Sequence, residues 1–270
     1  MSDDNQVQVE AVAVAAAPAE AAPAEAAPAE AAPAATQPPK AKEPFSVGEV
    51  LSTAMRITRH NFVPFFVLAC VLELPAIAVW AGGGKPDTLL LLLVQTLVSA
   101  LTQAVVAYGT IMELQGSRPS MRACFGTGLA QLGRVLGVTL VSGLAIGGAM
   151  LLLVVPGIIV SLMLYVVVPV TLVESLGIDN AMRRSRKLTY GYKGDIFLIL
   201  LLAGAVGLAL ELWVYPQLGH TTRLIWRELL SGLSTMFFSV TVAVTYVELR
   251  KRQDGLEVPE LATAFARIRK

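Results

Sequence analysis

Six predominantly apolar blocks divide the chain, and short polar segments separate them. The blocks cover approximately residues 61–80, 88–111, 135–155, 157–174, 196–214 and 229–247. A membrane-spanning helix needs about 20 apolar residues. Blocks one, two, five and six meet this length with a polar residue or two inside each, and blocks three and four form one uncharged run up to Glu174. The pattern predicts an all-α integral membrane protein with six transmembrane helices.

Two glycine-containing motifs suggest how blocks three and four are arranged. Pro156-Gly157 lies near the middle of the uncharged run, and we expect the hairpin turn there because proline interrupts helices and glycine permits tight turns. Gly143-x3-Gly147 in block three predicts a close helix-packing surface. A five-helix alternative would place Arg250, Lys251 and Arg252 on the outer side, so six spans are preferred.

The distribution of positive charge predicts the orientation. Eighteen of the 21 Lys and Arg residues lie on one side of the six blocks, and only Lys85, Arg223 and Arg227 lie on the other. Short loops rich in Lys and Arg remain cytoplasmic, which places both termini on the cytoplasmic side of the membrane. Composition agrees, because 15% of the residues are charged against about 25% in soluble domains.

The chain divides into three regions. Residues 1–44 form a low-complexity tail with Ala-Ala-Pro-Ala-Glu repeats, residues 45–249 hold the six blocks, and residues 250–270 follow them. We expect the tail to be disordered, because it has little apolar surface to bury and regular prolines. It lacks the features of a signal peptide. Its role is either a solvated tether or an arm that docks a partner protein.

Amphipathic segments precede each pair of apolar blocks and suggest a repeat. They cover residues 46–60, 117–134 and 177–193, and a fourth candidate begins at Pro259. Each predicts a helix lying on the cytoplasmic membrane surface. A spacing of glutamate, glycine, methionine and arginine recurs 61 residues apart, as Glu113-x2-Gly116-x4-Met121-Arg122 and Glu174-x2-Gly177-x4-Met182-Arg183. We interpret the chain as three hairpin units, each with its own interfacial helix.

A carboxylate closes each even-numbered block, at Glu113, Glu174 and Glu248. Such a charge at a helix C-terminus opposes the helix dipole and needs a compensating partner. The expected cations are Arg122 for Glu113, Arg183 or Arg186 for Glu174, and Arg250 or Arg252 for Glu248. These pairs either pin the interfacial helices or form part of a cytoplasmic binding site.

Glu73 is the clearest candidate for a functional group inside the membrane, because an ionisable residue there is costly. It lies about 18 Å into the first block at 1.5 Å per residue. Gln95, Ser99 and Gln103 follow one face of the second block, and we expect them to meet Glu73, protonated where water is excluded. This network either holds the bundle together by hydrogen bonds or forms a proton or substrate relay.

Enzyme chemistry finds little support in the sequence. The two histidines, His60 and His220, fall at opposite membrane faces, and no metal-ligand cluster, phosphate-binding loop or dinucleotide motif is present. We therefore expect no catalytic residues, metal or cofactor. The net charge of +1 argues against a nucleic-acid partner. Cys70 and Cys124 occupy different levels and are expected to be reduced.

Several landmarks resemble a known family. They are Phe45-Ser-Val-Gly-Glu-Val-Leu, Arg59-His-Asn-Phe62, Pro156-Gly-Ile, Pro169-Val-x3-Glu174-x2-Gly177-x3-Ala181-x3-Ser185-x2-Leu188, and Leu249-Arg-Lys-Arg-x2-Gly255-Leu. Over about residues 45–262 the chain resembles the bacterial YciC-like family, which is close to the membrane domain fused to some glycerophosphodiester phosphodiesterases. The resemblance implies a six-helix inner-membrane protein and carries over no catalytic residue. The phosphodiesterase barrel is absent, and the Pro/Ala-rich tail departs from the family pattern.

The leading functional hypothesis is a non-enzymatic membrane module that binds lipids or a partner protein. Anionic headgroups would contact the basic residues of segment 177–193, each contributing about 1 kcal/mol near the membrane surface. These residues are Arg183, Arg184, Arg186 and Lys187. A small-molecule or proton-coupled transporter or channel that uses Glu73 and the polar face of block two is the alternative, and a lipid-acting enzyme ranks third.

Overall fold

The computed structural model describes residues 45–81, 88–117, 120–214, 217 and 220–255. These ranges contain ten α-helices and no strand. In chain order the helices are α1 (Val47–His60), α2 (Phe62–Ala81), α3 (Thr88–Leu114), α4 (Met121–Ala130), α5 (Leu132–Leu152), α6 (Val154–Met163), α7 (Val167–Glu174), α8 (Ile178–Thr189), α9 (Lys193–Val214) and α10 (His220–Asp254). The tail of residues 1–44 and the helix expected from Pro259 lie outside the described residues.

The order of the elements recurs along the chain. A short helix, α1, α4 or α8, is followed in each case by a longer outgoing helix and a returning stretch. In the middle repeat the returning stretch is divided, because α6 ends at Met163 and α7 begins at Val167. Glu113, Glu174 and Glu248 lie at or near the ends of the three returning stretches.

Length and apolar composition mark several of these helices as candidate membrane spans. Four stretches qualify on their own within the described ranges, namely α3, α5, residues Val154–Glu174 and residues Leu229–Asp254. The number rises to six if α1 with α2 and α8 with α9 each count as one bent span. The fold is therefore that of an all-α, multi-pass membrane protein with four to six candidate spans.

Local sequence explains where α1 begins and how α8 turns into α9. The Ser46 hydroxyl accepts the Glu49 backbone N–H at 3.3 Å and caps the start of α1. The α1 and α2 axes differ by 82°, and the α8 and α9 axes by 97°. Gly191 lies in the second bend with a φ of 89°, a backbone conformation that glycine adopts without steric cost. The second bend is thus encoded by a glycine between the two helices.

Helix α10 lies at the centre of the core. It packs against α1, α2 and α3, and each residue from 239 to 247 is buried. Tyr246, Met236 and Leu249 are among its fully buried side chains. A helix buried on all sides is largely apolar, and the Thr241 and Thr245 hydroxyls in this segment donate to carbonyls one turn earlier.

The outer surface is apolar where the core ends. Leu144 on α5, Leu151 at its end and Val206 on α9 are 76%, 91% and 62% exposed. A soluble protein rarely exposes a continuous surface of this kind, whereas the hydrocarbon core of a bilayer solvates it. The exposed leucines and valines therefore support membrane insertion.

Two expectations for the middle of the chain are wrong. The break between α5 and α6 falls at Leu153, which has an extended backbone, and Pro156 lies in the first turn of α6. Proline is tolerated there because the first N–H groups of a helix need no helical acceptor. Gly143 and Gly147 face open space rather than a packed helix. Close packing occurs instead at Gly157, which is buried against Met150.

Gly157→Ala tests this α5–α6 contact. A methyl group at residue 157 would lie 2.9 Å from the Met150 Cα atom, so we expect the substitution to reduce stability by about 1–3 kcal/mol through overpacking. Gly147→Ala is the matched control, and it should be neutral or stabilising by about 0.4–1 kcal/mol. Thermal unfolding of the purified protein, followed by circular dichroism, measures both. Equal shifts for the two variants would contradict the proposed packing.

Candidate functional site

A cluster of charged side chains joins the ends of α7 and α10 to the middle of α8, and we call it the Arg184 latch. Glu174 at the end of α7 accepts from the Arg184 Nε atom at 3.1 Å through Oε1 and at 3.0 Å through Oε2. The Arg184 Nη1 atom donates to the Asp254 Oδ1 atom at 3.2 Å, and Nη2 also donates to Asp254. The Arg184 side chain is only 19% exposed. One guanidinium group therefore connects α7, α8 and α10.

Two residues of α10 complete the latch. The Tyr246 hydroxyl donates to the Glu174 Oε1 atom at 3.2 Å and accepts from the Arg250 Nη1 atom at 3.1 Å. The Arg250 Nε atom also lies 3.5 Å from the Asp254 Oδ2 atom. Two carboxylates thus face two guanidinium groups, so the cluster has no net charge. Balanced and hydrogen-bonded charges of this kind are tolerated where water is scarce.

Glu174 was predicted to pair with Arg183 or Arg186, and this prediction is wrong because Arg184 is its partner. The Arg183 Nε atom instead contacts the Asp179 Oδ2 atom at 2.9 Å, and both of these side chains are 74% exposed. Arg184 lies beside the buried positions Ala181 and Leu188 on the same side of α8. The rotation of α8 against the core therefore selects Arg184.

Glu113 also has different partners from the expected Arg122. Its Oε1 atom lies 2.9 Å from the His60 Nδ1 atom, and its Oε2 atom accepts from the Asn61 side-chain amide. His60 ends α1, and Asn61 precedes α2. The carboxylate at the end of α3 therefore fastens the α1–α2 bend instead of pinning α4 through Arg122, as was predicted.

Glu248 pairs with Arg252, one of its two predicted partners. The Arg252 Nη2 atom lies 2.7 Å from the Glu248 Oε1 atom, and Lys251 lies 3.6 Å from the other carboxylate oxygen. The Arg252 guanidinium also stacks over the Phe45 ring at 5.5 Å from its centroid. Phe45 in turn contacts the Tyr192 ring, with the centroids 5.6 Å apart. The contact between Phe45 and Arg252 thus connects the two ends of the described chain.

A pocket lined by basic side chains lies at the junction of α8 and α9, and we call it the basic pocket. It has a volume of about 510 Å³ and is lined by Met163, Arg186, Lys187, Tyr190, Lys193 and Gln253. The Gln253 side-chain amide donates to the Tyr190 carbonyl at 3.0 Å and holds the wall in place. Within the described part of the chain, no carboxylate lines the pocket or pairs with its three cations. The arrangement suits an anion.

The structure divides the four residues expected to contact headgroups. Arg186 and Lys187 line the basic pocket, whereas Arg184 belongs to the latch and Arg183 pairs with Asp179. Lys193 was missed, because the α8–α9 bend rather than sequence spacing brings it to Arg186. Tyr190 was missed for the same reason. Gln253 was missed because it comes from α10, which the fold brings beside the bend.

The intramembrane polar residues also separate into two groups. Glu73 is 2% exposed, and the Gln95 Nε2 atom donates to its Oε2 atom at 3.3 Å. Ser99 and Gln103 instead line a cavity of about 850 Å³, and Glu73 is not among its lining residues. Gln95 therefore makes one of the expected contacts between Glu73 and block two, and Ser99 and Gln103 line the cavity.

Two further observations bear on the chemistry of these sites. Among the described residues, no group of three His, Cys, Asp or Glu side chains is arranged to hold a metal ion. No family model, curated protein or solved structure matches this chain. The geometry of the sites therefore carries the argument about their chemistry.

Arg184→Gln tests the latch. It leaves Glu174 and Asp254 without their shared cation, and we expect a loss of about 3 kcal/mol, as when one partner of a buried ion pair is removed. We also expect faster trypsin cleavage within residues 177–193. Arg183→Gln is the control because it removes the same charge and one trypsin site from an exposed pair, which contributes roughly 0–1 kcal/mol. Unfolding and limited proteolysis measure both, and equal effects would refute the latch.

Proposed function

We propose that this chain is a non-enzymatic, multi-pass protein of a bacterial inner membrane that binds anionic lipid headgroups at its cytoplasmic face. The observation that carries the proposal is the basic pocket, where Arg186, Lys187 and Lys193 converge without a carboxylate. Phosphate-bearing headgroups are the anions that a membrane protein meets at highest concentration. The pocket therefore has an abundant ligand of the right charge beside it.

The proposed topology has six spans in three hairpin units, with both termini in the cytoplasm. Helices α1, α4 and α8 would lie along the inner surface, and the bends of 82° and 97° suit helices that turn from the surface into the bilayer. The excess of Lys and Arg on this side supports the orientation. The basic pocket would then face the leaflet in which anionic lipids are concentrated.

The energetic argument depends on the missing carboxylates. A cation near an anionic membrane surface contributes about 1 kcal/mol, but a neighbouring carboxylate removes much of that attraction. Arg183 is partly neutralised by Asp179 in this way, and Arg184 by Glu174 and Asp254. The three cations of the basic pocket keep their full charge, and this supports a local lipid site over a diffuse basic surface.

A partner protein remains a second element of the proposal. The Ala/Pro/Glu-rich tail of residues 1–44 has the composition of an extended arm, and such segments bind partners without folding alone.

Membership of the YciC-like family is likewise a proposal, supported by the spaced residues that resemble it. It would be consistent with a membrane module without a catalytic domain.

Neutralising the basic pocket tests the headgroup proposal. The triple variant Arg186→Gln, Lys187→Gln, Lys193→Gln should retain fewer anionic lipids, because about 3 kcal/mol of attraction is removed, roughly a hundredfold in affinity. The protein is extracted from bilayers containing phosphatidylglycerol and phosphatidylethanolamine, and native mass spectrometry counts the lipids retained by each variant.

The control variant for this experiment carries Arg56→Gln, Arg122→Gln and Arg134→Gln. These three cations are exposed on α1, α4 and α5, so the change in net charge is identical. The control should retain phosphatidylglycerol as the unmodified protein does. Equal losses in the two triple variants would indicate diffuse attraction and contradict a site at the α8–α9 junction.

A transporter or channel is the second candidate function, and one observation favours it. Ser99 and Gln103 line the 850 Å³ cavity, as a polar pathway through the bundle would require. Glu73 is not among the residues lining this cavity, which weakens a relay that combines the three residues. The candidate therefore depends on whether water fills the cavity.

Cysteine labelling at residue 99 tests the transporter candidate. If the cavity is an aqueous pathway, Ser99→Cys in a Cys70→Ser background should react rapidly with a membrane-impermeant maleimide. Cys124 does not interfere, because burial raises its pKa to about 11 and keeps it a thiol at neutral pH. The lipid-binding proposal expects labelling at least tenfold slower than at an exposed control, Ser52→Cys. Comparable rates would favour the transporter.

A further inference from the structure

The 850 Å³ cavity lies between the first and third repeats and is mostly apolar. Its walls come from α1, the start of α2, α3, α9 and α10. Leucine, valine and phenylalanine side chains predominate, including Leu200, Val206, Leu233 and Phe238. A volume of roughly 300–1,000 Å³ is typical of small-molecule sites. The cavity is thus large enough for a ligand and selects an apolar one.

One wall of the cavity reaches the outer surface of the bundle. Leu202 and Val206 on α9 line the cavity and are 43% and 62% exposed. In a bilayer these side chains would contact hydrocarbon. A lipid chain can therefore enter sideways from the membrane, without crossing an aqueous compartment.

The depth of the cavity matches one leaflet. Gln103 and Ser99 lie 10 and 14 residues before Glu113, or about 15 and 21 Å along α3 at 1.5 Å per residue. Glu113 itself contacts His60, the neighbour of Arg59. The cavity thus extends roughly 20 Å from the α1–α2 bend. The hydrocarbon core of a bilayer is about 30 Å thick, so one leaflet contributes about 15 Å.

A cation lies at the shallow end. Arg59 lines the cavity together with Thr58 and Phe62, where α1 turns into α2. Arg59 makes no ion pair within the described part of the chain. The neighbouring His60 is bound to Glu113, so that carboxylate is already engaged. The cavity is therefore mostly apolar, with a few hydroxyl and amide groups in its walls, and positive at its cytoplasmic end.

We infer that this cavity binds one phospholipid of the inner leaflet, with an acyl chain between α9 and α10 and its phosphate on Arg59. Charge, polarity and depth all match this ligand, whereas a soluble polar solute would leave the leucine and phenylalanine walls unmatched. The inference extends the proposed lipid function to a second site, which shares no lining residue with the basic pocket. The proposals for the two sites can therefore be refuted independently of each other.

Filling the cavity tests the inference. Gly207 lines it, and a side chain at this position meets nothing within 4 Å at its first carbon, so Gly207→Trp should occupy the space without displacing the backbone. Leu208→Trp is the control, because Leu208 is 56% exposed on the same helix and does not line the cavity. Both variants are compared with the unmodified protein in nanodiscs.

The probe is phosphatidylglycerol with a photoactivatable diazirine on one acyl chain, and mass spectrometry locates the labelled peptides. We expect labels on the α9 and α10 residues lining the cavity in the unmodified protein and in Leu208→Trp, and at least fivefold less labelling there in Gly207→Trp. Unchanged labelling in Gly207→Trp, or an equal loss in Leu208→Trp, would overturn the inference.

A second pair of variants tests the phosphate contact and guards against misfolding in Gly207→Trp. Arg59→Gln should reduce cavity labelling by phosphatidylglycerol about fivefold, whereas Arg56→Gln, an exposed control on the same helix, should leave it unchanged. Equal labelling in both would refute the assignment of Arg59. The basic-pocket triple variant should keep its cavity labelling, so loss of headgroup binding there leaves this inference standing.

Discussion

Arg184 occupies a position that the surrounding structure has to accommodate. A guanidinium group that is four-fifths covered loses most of its hydration, and it is stable only because Glu174 and Asp254 supply acceptors at both ends of its planar fork. Those carboxylates lie at the ends of α7 and α10, so both helices must finish at one level and α8 must present Arg184 between them. The contact holds α8 against α7 and α10, and the bend at Gly191 then brings Lys193 to the pocket lined by Arg186.

The same logic explains why the two basic regions differ although they share one helix. Arg184 is neutralised and holds α8 in place, whereas Arg186 and Lys187 line the basic pocket and pair with no carboxylate among the described residues. Rigid attachment through Arg184 lets the same helix present a fixed arrangement of cations. A binding surface supported in this way loses less conformational entropy on meeting a ligand than a flexible basic loop would.

The apolar blocks and the short helices were predictable, because both depend on the local pattern of residues. Segment 46–60, for example, forms α1 as its amphipathic pattern predicts, with the Ser46 hydroxyl as its cap. The partners of the carboxylates were less predictable. Arg183 and Arg184 are neighbours in sequence but lie about 100° apart around the helix, and only the burial of Ala181 and Leu188 selects between them. Gln95 and Ser99 likewise separate, because tertiary packing decides which turn of α3 meets Glu73.

Phe45 has a consequence for how the described chain unfolds. Its ring contacts Tyr192 and lies beneath Arg252, so the first described residue and the end of α10 meet at one corner, next to the α8–α9 bend. Chain ends generally fray first, at almost no cost in free energy. Here the two ends of the described chain hold each other, so fraying at either one must first break the contacts of Phe45.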